Sequence, residues 1–355
     1  MTMAVAIGLV GAVVGFGILA LAPGLRASLS GSLPGPAEYA NPVIGSDFAD
    51  PTTLHAADGW YYAYSTEQLT TQRMANIQAA RSRDLVHWDL LPDALPTKPP
   101  WADATRDFWA PGAIEADGRT YLYFAALHNL RMGMCLGVAV ADDPAGPFIP
   151  EPEPLRCEGG GFINIDPMAF DDPATGTPYL YWGSAGSPIL VQQLAPDRVS
   201  FAAGSEPIGV LSPDPDAPYE DLVEAPWVVE RDGAYYLFYS GDFCCHPTDP
   251  EYAVMIARSD SPTGPFERRT DDHVIVEANE SWLGPGHNAV VTDAAGTDWI
   301  VYHAIDPDHP FQPAIDAVRR PTLIDRLAWV DGWPELAGNG PTTGPQLAPE
   351  TDPGG

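Results

Sequence analysis

The segment Gly59-Trp-Tyr-Tyr-Ala-Tyr-Ser65 is the first of five that share one pattern, a glycine turn followed by a strand rich in tyrosine and tryptophan. The other four begin at Gly118, Gly176, Gly233 and Gly296, and the intervals between successive glycines are 59, 58, 57 and 63 residues. Aromatic and β-branched residues favour strands, and an Asp-Gly pair or a similar turn before the strand indicates a hairpin. The pattern therefore predicts a hairpin at the same place in each of five repeats.

Each repeat is long enough for about four strands and their loops, which is the content of one propeller blade. A later strand-like stretch that ends in a turn recurs in several repeats, for example in residues 79–88, 137–148 and 255–266. A β-sandwich would not require a fixed repeat interval. The sequence accordingly predicts an all-β fold, a single-domain five-bladed β-propeller.

The residues seven to ten positions before each repeat glycine open the innermost strand of each predicted blade. Innermost strands surround the axis of a closed ring, so their first residues converge at one mouth. In chain order these positions hold Asp50, Ala110, Asp166, Glu224 and His287. Each acid alone is compatible with a strand-end cap or a solvated turn. Three carboxylates and a histidine in one axial pit instead indicate a functional site, because crowded like charges are costly.

The chain is strongly acidic, with 17 basic and 48 acidic residues among 355 and a formal net charge of −31. Such a surface repels phosphate backbones, so we expect no nucleic-acid partner. The acidic residues are scattered along the chain, which is typical of a solvated surface and not of a cation-recruiting tract. The apolar share of 45% allows a large core.

Residues 1–25 carry no charged side chain, and Met3–Ala22 is an apolar run long enough to cross a bilayer. A cleaved signal peptide would usually have basic residues before this run, and Pro23 is a poor residue after a cleavage site. A signal peptide and an uncleaved membrane anchor therefore both stay open. Either would make the protein secreted or anchored to the cell envelope, facing outward. The expected organisation is the signal or anchor at 1–25, a linker at 26–38, the propeller at 39–346 and a flexible tail at 347–355.

The chain contains four cysteines, and export would permit disulfides. We expect Cys135 to pair with Cys157. The adjacent Cys244 and Cys245 are expected to form a vicinal disulfide in a loop. No cysteine spacing resembles a zinc site.

Five short motifs, in order along the chain, resemble those of glycoside hydrolase family 43. They are Asn41–Pro51, Phe108–Gly112, Ile165–Pro167, Val223–Trp227 and Gly284–Asn288, and the stretch from Arg320 to Pro334 is similar to the last blade of that family. The resemblance runs from about residue 41 to about residue 346. A related family that acts on fructosides with retention has Arg-Asp-Pro at the middle motif, where this chain has Ile165-Asp166-Pro167, so that family is disfavoured.

The resemblance implies hydrolysis of α-L-arabinofuranosides, arabinan or β-xylosides with inversion of the anomeric configuration. Carried over by motif, Asp50 is the expected general base and Glu224 the general acid. Asp166 is expected to orient Glu224 and to tune its pKa. No cofactor is required, although some family members hold a calcium or sodium ion at the ring centre, often through water, and His287 is the residue expected near such an ion.

Sugar-binding side chains are expected at the same mouth. The resemblance places Arg320 and Trp109 beside the sugar, and Arg320 is also a candidate cation for keeping Asp50 charged. Phe48 and Trp182 are further aromatic candidates for stacking on a sugar face. For Trp182, packing between blades is the alternative.

An inverting glycosidase needs its two carboxyl groups roughly 6.5–9.5 Å apart, and positions on blades one and four can face each other across the pit. The paired cysteines in Gly241–His246 resemble a loop of arabinan-active family members, and no β-sandwich follows the last blade as it does in many β-xylosidases of this kind. Both features favour α-L-arabinofuranosidic bonds of plant cell-wall polysaccharides or oligosaccharides. A β-xylosidase of the same family and a non-catalytic polysaccharide-binding propeller are the alternatives. The sequence does not indicate an oligomeric state, and a membrane contact is expected only through residues 1–25.

Overall fold

A computed structural model describes residues 37–351, apart from residues 71–72, 271–272, 314 and 338–339. The predicted signal or anchor segment, most of the predicted linker and the last residues of the tail lie outside the described residues. The regular secondary structure of the described part is almost entirely β-strand, with one short 3-10 helix at Pro100–Ala102. No helix in this part of the chain has the length and hydrophobicity needed to cross a bilayer.

The strands in chain order are β1 (Glu38–Tyr39), β2 (Thr52–His55), β3 (Tyr61–Ser65), β4 (Gln68–Thr70), β5 (Arg73–Ala75), β6 (Gln78–Ser82), β7 (Trp88–Leu90), β8 (Phe108–Ala116), β9 (Arg119–Leu127), β10 (Met134–Ala141), β11 (Ile149–Pro150), β12 (Met168–Asp171), β13 (Pro178–Trp182), β14 (Ile189–Gln193), β15 (Ile208–Leu211), β16 (Val223–Arg231), β17 (Ala234–Phe243), β18 (Glu251–Ser259), β19 (Glu267–Arg268), β20 (Val274–Val276), β21 (Leu283–Thr292), β22 (Asp298–Ile305), β23 (Thr322–Val330), β24 (Trp333–Leu336) and β25 (Gln346–Leu347).

Five antiparallel sheets form the blades, and within each sheet the strands follow chain order. Blade 1 is β2-β3-β6-β7, blade 2 is β8 to β11, blade 3 is β12 to β15, blade 4 is β16 to β19 with β20 also paired to β18, and blade 5 is β21 to β24. The first strands of neighbouring blades contact one another, β2 with β8, β8 with β12, β12 with β16, β16 with β21 and β21 with β2. This closed circuit confirms the predicted five-bladed propeller.

The five repeat glycines all have φ between +72° and +82°, a conformation that side chains rarely adopt. Each therefore makes the tight turn predicted between the first and second strands of its blade. Most of the aromatic residues that follow are buried because the second strand is covered on both faces, whereas Trp60 and Tyr179 are partly exposed. Five apolar clusters lie between neighbouring blades, one at each of the five junctions.

The chain before blade 1 is fastened to blade 5. The Tyr39 hydroxyl donates to the Ile324 carbonyl oxygen at 2.9 Å, and the Asn41 side chain bonds both to that oxygen and to the Ile324 backbone N–H. Strand β1 pairs with β25, and Ile44 bridges to Thr322 at the start of β23. These bonds bring the residues that precede β2 next to those that precede β23.

Both predicted disulfides are present. Cys135 in β10 is bonded to Cys157, and Cys244 is bonded to Cys245 directly after β17. The first disulfide ties a strand of blade 2 to the loop that leads into blade 3. The second lies in the loop between β17 and β18, on the same side of the molecule as the cavity described below.

Candidate active site

A strained backbone turn precedes or opens the first strand of every blade. The turn residues are Asp50, Ala110, Asp166, Ala225 and His287, with φ between +49° and +58°. Positive φ is uncommon for residues other than glycine and is retained where the surroundings fix it. The alignment of Glu224 with Asp50 predicted from the sequence is therefore wrong by one residue, because Ala225 is the equivalent position in blade 4. Glu224 lies immediately before that turn.

The turn of one blade is hydrogen-bonded to the end of the second strand in the preceding blade. A side chain there accepts a hydrogen bond from the backbone N–H of the turn residue: Thr66 Oγ1 from Ala110 at 3.0 Å, Ser240 Oγ from His287 at 2.8 Å, and His303 Nδ1 from Asp50 at 3.1 Å. The three acceptors share one repeat position, seven residues after the repeat glycine. The repeat thus supplies both the strained turn and the polar group that stabilises it.

Blades 2 and 3 depart from this pattern because their equivalent positions are Ala125 and Gly183, which have no polar side chain. The backbone N–H of Ala225 donates instead to Oδ2 of Asp166, at 3.0 Å. A side chain at position 183 would not fit, since a Cβ there would lie 2.8 Å from the Pro188 carbonyl oxygen and the φ of +141° favours glycine. The glycine leaves this N–H to Asp166, which ties the Asp166 carboxyl group to the residue after Glu224.

The turns converge on a cavity of about 640 Å³. Six of the residues predicted for the site line it: Asp50, Trp109, Asp166, Glu224, His287 and Arg320. Apolar side chains complete the wall, among them Ile165, Leu222 and Val318. The repeat therefore brings the three carboxyl groups to one hollow, as its symmetry predicts.

Asp50 is buried among cationic and hydrogen-bonding partners. Its Oδ1 accepts from Arg320 Nη1 at 2.7 Å, and its Oδ2 accepts from the Thr66 hydroxyl at 2.5 Å. Nδ1 of His303 and Nδ1 of His287 lie 3.2 and 3.8 Å from Oδ1. Burial alone would raise the pKa of Asp50, but the charge of Arg320 holds it well below its ordinary value. Asp50 is therefore a carboxylate at neutral pH.

Glu224 and Asp166 lie in the opposite electrostatic environment. Glu224 accepts hydrogen bonds from the hydroxyls of Ser184 and Tyr252, the latter at 2.8 Å. Burial raises the pKa of Glu224 despite these two bonds, and the negative charge of Asp50 adds to the increase. Burial and repulsion from Glu224 raise the pKa of Asp166 well above its ordinary value. The pair thus retains a proton at a pH where Asp50 has lost its own.

His287 lies between the two aspartates. Its Nδ1 is 3.8 Å from Asp50 Oδ1 and 3.8 Å from Asp166 Oδ2, so these two carboxyl oxygens are separated by at most twice that distance. Burial lowers the pKa of His287 to about 4, which leaves the ring neutral near pH 7. Among the described residues, no three His, Cys, Asp or Glu side chains are grouped to hold a metal ion. The side chains do not fit a directly ligated ion, and a calcium or sodium ion held at His287 through water stays a prediction.

Two predicted sugar-stacking residues are wrong. Phe48 is fully buried in a small cluster with Ile44 and Ala63 and does not line the cavity. Trp182 is fully buried at the junction of blades 2 and 3, where its ring packs against Phe201 with 5.7 Å between ring centroids. Stacking on a sugar needs an exposed ring face, which neither side chain has. For Trp182 the packing alternative is the correct one.

Several cavity residues were not identified from the sequence. Ser184 and Tyr252 bind Glu224, and Asp47 accepts from the backbone N–H of Arg320 at 2.8 Å. Extending the repeat comparison to seven residues after each glycine would have found Thr66 and the other acceptors of the turns. Tyr252 and Asp47 have no repeated counterpart, so no comparable signal pointed to them.

Comparison with known proteins gives consistent matches along the chain. The model of the glycosyl hydrolases family 43 matches residues 39–334. An extracellular exo-alpha-(1->5)-L-arabinofuranosidase of Cellvibrio japonicus is 26% identical over 320 residues, which are 82% of this chain and 86% of that protein. A xylosidase/arabinosidase of Bacteroides ovatus is 29% identical over 313 residues, which are 73% of this chain and 90% of that protein. The crystal structure of a thermostable family-43 glycoside hydrolase has a TM-score of 0.74 at 28% identity, covering 88% of this chain and 100% of that one.

Proposed function

The chain belongs to family 43 of the glycosyl hydrolases and is a glycosidase, and from that premise we propose that it hydrolyses α-L-arabinofuranosidic bonds with inversion. Asp50 acts as the general base, Glu224 acts as the general acid, and Asp166 orients Glu224 and raises its pKa. One observation carries this assignment. Within a single cavity, Arg320 keeps Asp50 ionised while burial and mutual repulsion keep one proton on the pair of Glu224 and Asp166, which is the separation of pKa values that acid–base catalysis needs.

Each group has a defined part in the reaction. Asp50 removes a proton from a water molecule as the water oxygen bonds to the anomeric carbon, on the face opposite the leaving group. The bond from the anomeric carbon to the leaving oxygen breaks, and Glu224 gives its proton to that oxygen. The products are a free sugar of inverted configuration and an alcohol. Asp50 is then protonated and Glu224 ionised, and proton exchange with solvent restores both.

The two relatives described above share an arabinose-releasing activity in their names, but other relatives of similar identity are named xylosidases, so the choice of arabinose over xylose depends on a loop beside the cavity. The Cys244–Cys245 disulfide, which resembles a feature of arabinan-active family members, lies in the wall of the same cavity. The substrate we propose is a plant cell-wall arabinan, arabinoxylan or derived oligosaccharide.

We place this activity outside the cytoplasm. The apolar run at Met3–Ala22 is the sequence feature that supports export, by a cleaved signal peptide or a retained anchor. The Cellvibrio japonicus relative is named extracellular, which agrees with this placement. Family membership favours an enzyme over the alternative of a non-catalytic polysaccharide-binding propeller.

The test compares p-nitrophenyl α-L-arabinofuranoside with p-nitrophenyl β-D-xyloside, followed by arabinan and xylan. We expect a higher kcat/KM for the arabinofuranoside, and proton NMR of the fresh product should show the inverted anomer. A higher kcat/KM for the xyloside would make the protein a β-xylosidase. A product with the retained anomeric configuration would refute the assignment of Asp50 as the general base, because retention requires a carboxylate nucleophile.

A further inference from the structure

Glu67 is a carboxyl group in the cavity wall that the mechanism above does not use. It lies directly before β4, and its backbone N–H donates to the Phe108 carbonyl oxygen at 3.0 Å. Oε1 of Glu67 accepts a hydrogen bond from Trp109 Nε1 at 3.1 Å. Oε2 is buried and has no hydrogen-bond partner in the described part of the chain. Glu67 thus joins blade 1 to blade 2 by a side-chain bond to a tryptophan in the same cavity wall.

The contacts of Trp109 fix its ring in one orientation. The indole stacks on Phe162, with 5.7 Å between ring centroids and an interplanar angle of 21°, and it packs against a buried cluster that includes Ile165. Nε1 is the only polar atom of the indole, and Glu67 is its acceptor. Turning the ring would break that bond and leave a poorly solvated donor unpaired, which is costly. Glu67 therefore determines how the ring faces the cavity.

The charge state of Glu67 affects how well it can do this. Burial, which is the largest influence, raises the pKa of Glu67 to about 8, and repulsion from Asp107 and Asp50 adds to the increase. The hydrogen bond from Trp109 acts in the opposite direction, and Arg320 is the cation that interacts with Glu67. Near neutral pH the group is a carboxylic acid whose carbonyl oxygen still accepts from the indole. Ionisation would leave a buried, charged Oε2 without a partner, which favours rotation of the side chain toward water.

Resting on the proposed function, we propose that Glu67 is a positioning residue that holds the Trp109 indole against the bound sugar through its hydrogen bond to Nε1. It acts on sugar affinity and not on the bond-breaking step, because it contacts the tryptophan and none of the three acids assigned to the reaction. A role of this kind predicts a change in KM with little change in kcat.

Two substitutions separate this role from a structural one. Glu67→Leu keeps the approximate volume but removes the acceptor, and it should raise KM roughly three- to tenfold, the value of one hydrogen bond, with kcat changed less than about twofold. Glu67→Gln keeps a carbonyl oxygen for Trp109 and should retain the wild-type KM. As pH rises through about 8, the KM of the wild type should increase while that of the glutamine variant stays constant.

Trp109→Phe supplies the matched control, because it removes Nε1–H and keeps an aromatic ring. In that background, Glu67→Leu should add no further increase in KM. Additive effects, an unchanged KM for Glu67→Leu, or a fall in kcat at constant KM would each overturn the inference. Melting temperatures identify a variant that is merely unfolded. If the wild type cleaves neither glycoside, the proposed function fails, and calorimetric binding of arabinose and xylose to the same variants still tests the role of Glu67.

Discussion

Replacing Arg320 by methionine removes the charge that keeps Asp50 ionised. Nη1 and Nη2 of Arg320 lie 2.7 and 3.4 Å from the two oxygens of Asp50, and both side chains are largely buried. With charge centres about 4 Å apart and an effective dielectric constant near 20, their attraction is about 4 kcal/mol, which corresponds to about three pKa units. Water that enters the space left by the guanidinium offsets part of this loss. We therefore expect the pKa of Asp50 to rise by about two to three units.

The measurement is the pH dependence of kcat/KM, which reports ionisation in the free enzyme. Asp50 accepts a proton only as a carboxylate, so kcat/KM falls as the pH drops through the pKa of Asp50. The acidic limb of the profile should move to higher pH by about two to three units in Arg320→Met. Arg320→Lys is the matched control, because it retains the charge and loses only the planar two-point contact, and its acidic limb should move by less than about one unit.

Two results would contradict this reasoning. If Arg320→Met is active and its acidic limb stays where the wild type has it, Arg320 does not control the pKa of Asp50. If Arg320→Lys and Arg320→Met shift the acidic limb equally, then the planar geometry of the Arg320–Asp50 contact controls the pKa of Asp50, and the positive charge does not. An increase in KM in both variants is compatible with the reasoning, since Arg320 also lines the cavity.

Three further predictions concern the acid, its neighbour and the disulfide of blade 2. Glu224→Gln should lower kcat by at least about 100-fold while calorimetry shows sugar affinity within about threefold of the wild type; retained turnover would remove Glu224 as the acid. Asp166→Asn removes an anion near Glu224, so the pKa of Glu224 falls and the alkaline limb of kcat/KM should move to lower pH; an unmoved limb would count against the pairing. The double substitution of Cys135 and Cys157 by serine opens a loop with a sequence separation of 22 residues and should lower the free energy of unfolding by roughly 3 kcal/mol in urea denaturation, whereas equal stability would show that the bond does not constrain the unfolded chain.

The fold was predictable because the sequence pattern of one blade occurs five times along the chain. Each blade contains a glycine that needs positive φ, followed by a strand buried on both faces, so the same sequence pattern recurs in each blade. Five copies at a nearly constant interval are difficult to reconcile with another architecture. The same repetition explains the error at Trp182. Every second strand needs large aromatic residues to fill a blade junction, and sequence position alone does not tell which rings face a junction and which face the cavity.

Without the family resemblance, which indicated Arg320 and Trp109, the site was predictable only where it follows the repeat. Asp50, Asp166 and His287 occupy the repeated turn, so symmetry alone brings them together. Eight residues after the repeat glycine, where blade 1 has Glu67, blade 3 has Ser184, which also lines the cavity. Glu67 and Tyr252 enter the cavity from a loop and from a third strand. Their contacts with Trp109 and Glu224 depend on where single loops and strands lie in three dimensions, and no pattern along the chain records that.

The repeat provides the scaffold, and the chemistry lies where the repeat is broken. If every second strand ended in a polar side chain, each turn N–H would be satisfied by its neighbouring blade and Asp166 would have no bond to Ala225. Ala125 and Gly183 lack this acceptor in blades 2 and 3, and at the turn that Gly183 faces the carboxyl group of Asp166 takes its place. The bond from Ala225 to Asp166 keeps the Asp166 carboxyl group next to Glu224. When Asp166 is ionised, its negative charge raises the pKa of Glu224. A glycine that makes no contact of its own with the reacting groups is thus part of how the acid keeps its proton, and a repeat with perfect symmetry would offer five equivalent turns but no pair of carboxyl groups with different pKa values.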